Sequence, residues 1–474
     1  MKILFLYVIV FSLISATSIF GQNNFNLEGN WLGAIEISGI KYRLVLKITK
    51  SGDAYAAKLD SPDQGAKDLP IDSIARKDKM VNFSAAQFGM NYEGTLNEKG
   101  DEITGTLKQG EGVLVLNFKR ANGEIKAKKR LQDPIKPYPY NEEGVSYKNI
   151  KDNVKLAGTL TLPRGDGKFP AVILITGSGS QDRDSTILEH RPFLVLADYL
   201  TRRGIAVLRV DDRGIGGSDL GLLNVTTENY VGDVLTGVEY LKSRKEINAR
   251  EIGLIGHSEG GIIAPMVAVA SKDVAFIVML AGSGQSGTEV ILTQIDLLNK
   301  ASGEKPETIA KAVDFQKSLF AVIKSEPDNK LAEQKINEVI ATRKSKMNEQ
   351  ELSAFTSTEA NLKAQLPLLL SPWYRYFLAY NPRPTLERVK IPVLALNGEN
   401  DVQVSSKENL TAIEDALKTG GNKDYTIKSF PKLNHLFQTS QTGSPFEYST
   451  IEETISPQVL ELVTDWILKR TGKK

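Results

Sequence analysis

Two kinds of hydrophobic pattern divide the chain. Between about residue 25 and residue 120, short runs alternate apolar and polar positions, as in Tyr42–Thr49, Tyr55–Leu59, Val81–Phe83 and Val113–Lys119. Alternation has the two-residue period of a strand with one buried face. Glycine-containing turns punctuate the runs, at Ser51-Gly52-Asp53, Lys99-Gly100-Asp101 and Gln109-Gly110. Strands at this spacing predict a small all-β barrel or sandwich over 22–122.

From Val145 to Leu162 two more strands flank a turn at Asp152-Asn153. Beyond them the runs become wholly apolar: Ala171–Thr176, Ala206–Val210, Ile252–Gly256, Ala275–Leu280 and Pro392–Asn397. Helical periodicity separates them, at Leu188–Arg203 and Glu228–Lys245, and a closing helix spans 458–470. Apolar strands alternating with helices predict an α/β unit with a mostly parallel sheet buried on both faces. Between Leu280 and Ile391 the pattern is helical with no strand, too long for a structureless loop. The reading is an α/β unit over 145–284 and 388–474, with a helical cap inserted at 285–387. The stretch 123–144, with Pro134, Pro137 and Pro139, reads as an extended linker. Its basic run of Lys126, Lys128, Lys129 and Arg130 reads as solvated.

The N-terminus has its own pattern. Lys2 precedes an apolar run from Ile3 to Ile14, and small residues follow at Ser15, Ala16, Ser18 and Gly21. This predicts a signal peptide over 1–21, cut after Ser18 or Gly21, and export to the periplasm or beyond. No later run has the length of a membrane span, so stable membrane insertion is not expected.

Charge narrows the function classes. Lys and Arg total 59 against 57 Asp and Glu among 474 residues, which gives no basic face for nucleic acid. Cysteine is absent, so disulfides, thiolate metal sites and a thiol nucleophile are excluded. His190, His257 and His435 are the three histidines, too scattered for a metal cluster. Neither metal nor cofactor is expected.

The strand Ile252–Ile255 runs into Gly256-His257-Ser258-Glu259-Gly260 and then an apolar helical stretch, Gly261–Ala270. In a strand–turn–helix of this form the serine takes a strained conformation and flanking glycines remove clashing Cβ atoms. Ser258 is thereby raised to the end of the sheet, at a helix N-terminus that favours negative charge. A serine hydroxyl needs a base within reach. In the chain order serine, acid, base that accompanies this turn, only His435 follows Ser258. His257 reads as packing and His190 as a surface or cap contact. Asp401, in Gly398-Glu399-Asn400-Asp401-Val402-Gln403-Val404, is the choice for orienting His435, with Glu399 as fallback. Oxyanion donors are expected from the backbone N–H of Glu259 and of Ser178, with Gly179 second, in the glycine-rich loop Thr176–Asp184.

These motifs resemble the α/β-hydrolase superfamily over roughly 145–474. Asp211-Asp212-Arg213-Gly214-Ile215-Gly216-Gly217-Ser218 matches a turn that is structural in that family. The elbow and the Gly177–Asp184 loop resemble the EstD and serine-aminopeptidase-like subgroup of bacterial carboxylesterases. Gly29-Asn30-Trp31-Leu32-Gly33 resembles the opening of lipocalin-like barrels, with Trp31 as core packing. The strand before the oxyanion loop ends in Thr176-Gly177 where lipases have His-Gly, and Pro265 falls inside the nucleophile helix. The resemblance implies a serine hydrolase acting on small acyl esters through an acyl-enzyme. Aminopeptidase, amide hydrolase or thioesterase chemistry on the same residues is the alternative. A ligand-binding protein with a vestigial hydrolase unit is the third reading. Trp373, Tyr374 and Tyr376 are candidates for the substrate pocket. Asp182 and Asp184 could hold a substrate amine or form a local ion-pair and turn network.

Overall fold

The computed structural model describes residues 26–472 apart from 38–39, 53, 110–111, 122, 124–129 and 223. The segment read as a signal peptide, and Lys126, Lys128 and Lys129, lie outside the described residues.

The alternating N-terminal pattern forms one antiparallel sheet. Its strands are β1 (Gly29–Ile37), β2 (Ile40–Ser51), β3 (Ala54–Ser61), β4 (Ala66–Pro70), β5 (Ser73–Lys77), β6 (Met80–Ala85), β7 (Met90–Leu96), β8 (Glu102–Gln109), β9 (Gly112–Val115) and β10 (Phe118–Ala121). They run in the order β4-β3-β2-β1-β10-β8-β7-β6-β5, with β9 as a side branch on β8. Neighbours in sequence pair, and β1 pairs with β10. No ladder among the described residues joins β4 to β5, so the sheet is an open half-barrel. The single strand expected over Val113–Lys119 is two, broken where Leu116 donates to the Gly105 carbonyl and the Asn117 side chain accepts from Gly105 N–H.

Large rings fill the interior. Phe83 stacks on Tyr92 at 4.8 Å and Phe118 meets Tyr92 edge-on at 5.4 Å. Trp31 is fully buried, donates from its indole N–H to the Leu27 carbonyl, and carries the Arg120 guanidinium over its face at 4.4 Å. The space that a ligand-capturing barrel would need is occupied by these side chains.

The second sheet contains β11 (Asn141–Asn149), β12 (Val154–Leu162), β13 (Phe169–Ile175), β14 (Ala206–Val210), β15 (Ile247–His257), β16 (Phe276–Leu280), β17 (Val393–Gly398) and β18 (Tyr425–Phe430). The order is β11-β12-β14-β13-β15-β16-β17-β18. β11 and β12 form an antiparallel hairpin, β12 is antiparallel to β14, and the rest are parallel. Burial on both faces follows from strand alternation. Ala171, Ile173 and Ile175 of β13 pack with α2 (Thr227–Ser243), α3 (Gly260–Ala270) and α10 (Ser406–Thr419). Val172 and Leu174 pack on the other side with α1 (Pro192–Arg202) and α11 (Pro457–Arg470). Strand order reverses beside β13, and such a switch point opens a crevice at the carboxyl ends of the strands.

Between β16 and β17 the chain forms α4 (Gly287–Ala301), α5 (Pro306–Ser325), α6 (Asn329–Lys344), α7 (Glu349–Leu369), α8 (Pro372–Ala379) and α9 (Arg383–Leu386). Ser286 with Glu289, and Asn348 with Glu351, close capping boxes at α4 and α7. The insertion has its own core, which includes Leu319, Phe320, Ile336 and Leu378.

Three local expectations change. The helix expected from Leu188 begins at Pro192, because Leu188 and Glu189 adopt positive φ. Arg130 is not solvated: it is 3% exposed and donates to the carbonyls of Leu188, Ser449 and Ile451. His190 is not at the surface. It is fully buried, with Nε2 donating to the Tyr448 carbonyl and Nδ1 facing the Thr454 hydroxyl.

The half-barrel docks against the α/β sheet beside the strand ends. The Asp63 carbonyl accepts from Leu188 N–H at 2.7 Å, and Arg43 reaches both Asp63 and Glu189. Gly65 lies so close that a Cβ there would run into the Asp182 carboxyl.

Candidate active site

Ser258 stands between β15 and α3 with φ +54°, a region that ordinary residues avoid. A Cβ on Gly256 would run into the Gly260 carbonyl, and one on Gly260 into the Ile175 carbonyl. Only glycine fits at both flanks, so the turn can be this tight. Ser258 N–H donates to the Leu280 carbonyl at 2.9 Å, which ties the turn to β16.

His435 lies on the turn after β18, and Asp401 on the turn after β17. His435 Nδ1 is 2.8 Å from Asp401 Oδ2, and both side chains are buried. The other Asp401 oxygen accepts from the amides of Gln403 and Val404, each at 2.8 Å. The carboxylate is therefore held at a fixed angle. Because it only accepts, Nδ1 carries the hydrogen and Nε2 of the neutral ring is left as an acceptor. Glu399, the fallback acid, is exposed and accepts from Ser429 instead.

His257 does more than pack. Its Nε2 donates to the His435 carbonyl at 2.9 Å, and the two rings lie 4.8 Å apart. Burial pushes its own pKa down to about 3, with the neighbouring His435 adding to the shift, so the ring stays neutral.

The loop after β13 comes against the elbow: a Cβ on Gly177 would lie 3.2 Å from the Ser258 Cβ. Gly179 has φ +87°, a conformation that favours glycine. The amides of Ser178, Gly179 and Glu259 have no acceptor among the described residues. Asp212 holds this loop at both ends. Its carboxylate accepts from the Thr176 hydroxyl and from Gln181 N–H, and its own N–H donates to the Gln181 carbonyl.

Ser258 and His435 line one cavity of about 810 Å³. Trp373 and Tyr374 line it as well. Tyr376 is not in the lining; its ring stacks on Tyr380 at 5.6 Å. In its place Phe377 faces the cavity, since positions 373, 374 and 377 share one side of α8. Asp182 and Asp184 do not line it. Asp182 accepts from the amide and hydroxyl of Thr186, and Asp184 is paired with Arg209. Tyr42, Asp63 and Gln64 of the half-barrel and Tyr448 of the loop after β18 line the cavity. Sequence reasoning had no signal for these four, because only domain docking and a long loop bring them there.

The sequence signature of the serine aminopeptidase family S33 matches residues 190–370. Esterase EstD of Thermotoga maritima is 26% identical over 382 residues, covering 80% of this chain and 79% of its own. Similar solved structures include the Pyrococcus furiosus esterase Pf2001, at 19% identity, TM-score 0.42, and 70% and 91% coverage of this chain and that one. The α/β hydrolase GrgF from Penicillium sp. sh18 is 18% identical, with TM-score 0.41 and 70% and 99% coverage. The chain resembles the α/β-hydrolases in both signature and sequence. It is a hydrolase, and EstD, a relative it matches over most of its length, is named an esterase.

Proposed function

We propose that the protein hydrolyses carboxylic esters of small acyl groups, with Ser258 as nucleophile, His435 as base and Asp401 as the group that orients it. The observation that carries this reading is the fixed Asp401–His435 pair on the cavity that also exposes the elbow serine. Ser258 Oγ attacks the carbonyl carbon while its proton passes to His435 Nε2. The tetrahedral oxyanion accepts from the amide of Glu259 and from that of Ser178 or Gly179. The intermediate collapses as His435 returns the proton to the departing alcohol, leaving an acyl group on Ser258. Water, deprotonated by His435, then releases the acid.

Ester rather than aminopeptidase chemistry is favoured by Asp182 and Asp184, both taken up in internal bonds and unavailable to a substrate ammonium. We also read the chain as exported, on the apolar run Ile3–Ile14, and as a β unit over 22–122 joined to a hydrolase unit capped by 285–387. Among the described residues no helix is long and apolar enough to cross a membrane.

The test is turnover of p-nitrophenyl esters of graded acyl length and of aminoacyl-p-nitroanilides by wild type and Ser258→Ala. Ester turnover that vanishes in the variant supports the proposal. Cleavage confined to the anilides moves it to amide hydrolysis, and turnover of esters by Ser258→Ala removes the serine from the mechanism.

A further inference from the structure

The cavity beside Ser258 has two walls of different chemistry. One is mainly apolar, with Ile262 and with Ile291, Leu298, Trp373 and Phe377 of the helical insertion. The other carries the polar side chains of Tyr42 and Gln64 of the half-barrel with Gln181, Thr186 and Gln403 of the loops. The walls belong to separate packing clusters. Ile291, Trp373 and Phe377 sit against the insertion core, whereas Tyr42 packs with Leu188, Leu436 and Tyr448. The insertion also brings Gln294, Asn299 and Ser302 to the lining and the loops bring Ile187, Leu436 and Phe446, so the two surfaces differ in emphasis.

The polar wall carries no spare charge. The Asp63 carboxylate is taken by the backbone N–H and guanidinium of Arg43. The Glu259 carboxylate accepts from Thr227 and Trp373. A charged group bound here would give up water without gaining a counter-ion, which is costly. What the wall offers is uncommitted hydrogen bonding. Gln64 Oε1 accepts from the Ser61 hydroxyl at 2.7 Å, which orients the amide and leaves Nε2 without a partner among the described residues. The Tyr42 hydroxyl likewise has none. Two neutral donors lining one cavity, one of which also accepts, suit a ligand bearing several hydroxyls. The cavity, about 810 Å³, is within the range that holds a small ligand.

We propose that Tyr42 and Gln64 bind the alcohol part of the ester, that this alcohol is an uncharged polyol such as glycerol or a sugar, and that the acyl chain lies against the insertion. The inference rests on the serine-hydrolase reading above. It gives the half-barrel a function: it supplies the leaving-group subsite, and the hydrolase unit supplies the chemistry.

The experiment compares two esters of one acid, glyceryl monobutyrate and ethyl butyrate, with the full chain. Wild type is expected to show a kcat/KM at least about tenfold higher for the glyceryl ester, the gain from one or two well-placed hydrogen bonds. Tyr42→Phe and Gln64→Ala should each lower that kcat/KM about five- to tenfold, through KM, and leave ethyl butyrate within about twofold. Gln64 is exposed, so its variant carries the test even if Tyr42→Phe folds poorly. Equal wild-type rates on the two esters overturn the proposal. So do variants that slow both esters alike, variants that slow neither, and a wild type that turns over neither ester. Ser258→Ala separates the two claims: loss of ethyl butyrate turnover keeps the hydrolase reading standing even if the polyol subsite fails.

Discussion

The indole N–H of Trp373 donates to the Glu259 carboxylate at 3.0 Å, and the Thr227 hydroxyl donates to the same oxygen at 2.7 Å. Glu259 follows Ser258, and its amide is a proposed oxyanion donor. One side chain of the insertion is thus fastened to the turn on which the chemistry depends. Trp373→Phe keeps an aromatic ring, smaller than the indole, and removes the donor. A buried carboxylate that loses one donor costs about 1–3 kcal/mol. We expect unfolding free energy to fall by that amount and kcat on short esters to fall several-fold. Denaturant unfolding beside kinetics checks this, and an unchanged kcat would show that the turn does not depend on the insertion.

Asp401→Asn reads out the tautomer. Asp401 Oδ1 is fixed by the Gln403 and Val404 amides, so an asparagine must place its carbonyl there and its NH2 toward His435. Nδ1 then has to accept, the ring hydrogen moves to Nε2, and the base can no longer take the Ser258 proton. A fall in kcat of about 10⁴-fold is expected with the fold intact. A loss of less than tenfold would mean that Asp401 does not orient His435.

Much of this arrangement was legible from the sequence, for local reasons. A strand, a glycine-flanked serine and an apolar helix specify the elbow within a dozen residues, and chain order then leaves His435 as the one histidine after Ser258. On the insertion side of the cavity Trp373 and Tyr374 were legible as pocket residues, whereas the half-barrel side escaped. Tyr42 and Gln64 reach it only because the half-barrel docks on the Leu188 turn, a contact between segments more than 100 residues apart. Tyr376 was chosen for aromatic density, whereas helix phase selects Phe377. Arg130 and His190 looked like surface residues because local polarity says nothing about distant carbonyls that close over a side chain.

Arg130 now carries a stability prediction. Its guanidinium serves three carbonyls from the Leu188 turn and from Ser449 and Ile451, all on segments that frame the cavity. Arg130→Ala leaves those acceptors to whatever water can enter. The expected loss is about 2–4 kcal/mol, measured by denaturant unfolding. Arg130→Lys should recover little, since one ammonium cannot span the guanidinium's fan of acceptors. Full recovery by lysine would reduce the site to a charge effect.

Asp212 gives a prediction in pH. It is half-buried beneath the loop that carries Ser178 and Gly179, and desolvation, reinforced by the Glu259 and Asp233 carboxylates, pushes its pKa up to about 8. The usual value for an unfolded aspartate is about 3.9. Between about pH 4 and 8 the folded protein holds a proton that the unfolded chain has released, so this group's contribution to stability declines as pH rises through that window. Asp212→Asn removes the titration and can keep the bonds: its carbonyl accepts from Gln181 N–H and its NH2 donates to the Thr176 hydroxyl. The variant should lose less stability than wild type between pH 5 and about pH 8, with kcat at neutral pH within about threefold, because the loop stays clamped. Asp212→Ala releases the Thr176 hydroxyl and Gln181 N–H, keeps only the backbone bond to the Gln181 carbonyl, and should lower kcat by up to about 10²-fold, the scale of one misplaced oxyanion donor. Unfolding free energies measured across this range decide the point: parallel curves for wild type and Asp212→Asn would mean that Asp212 is already ionised in the folded protein at neutral pH.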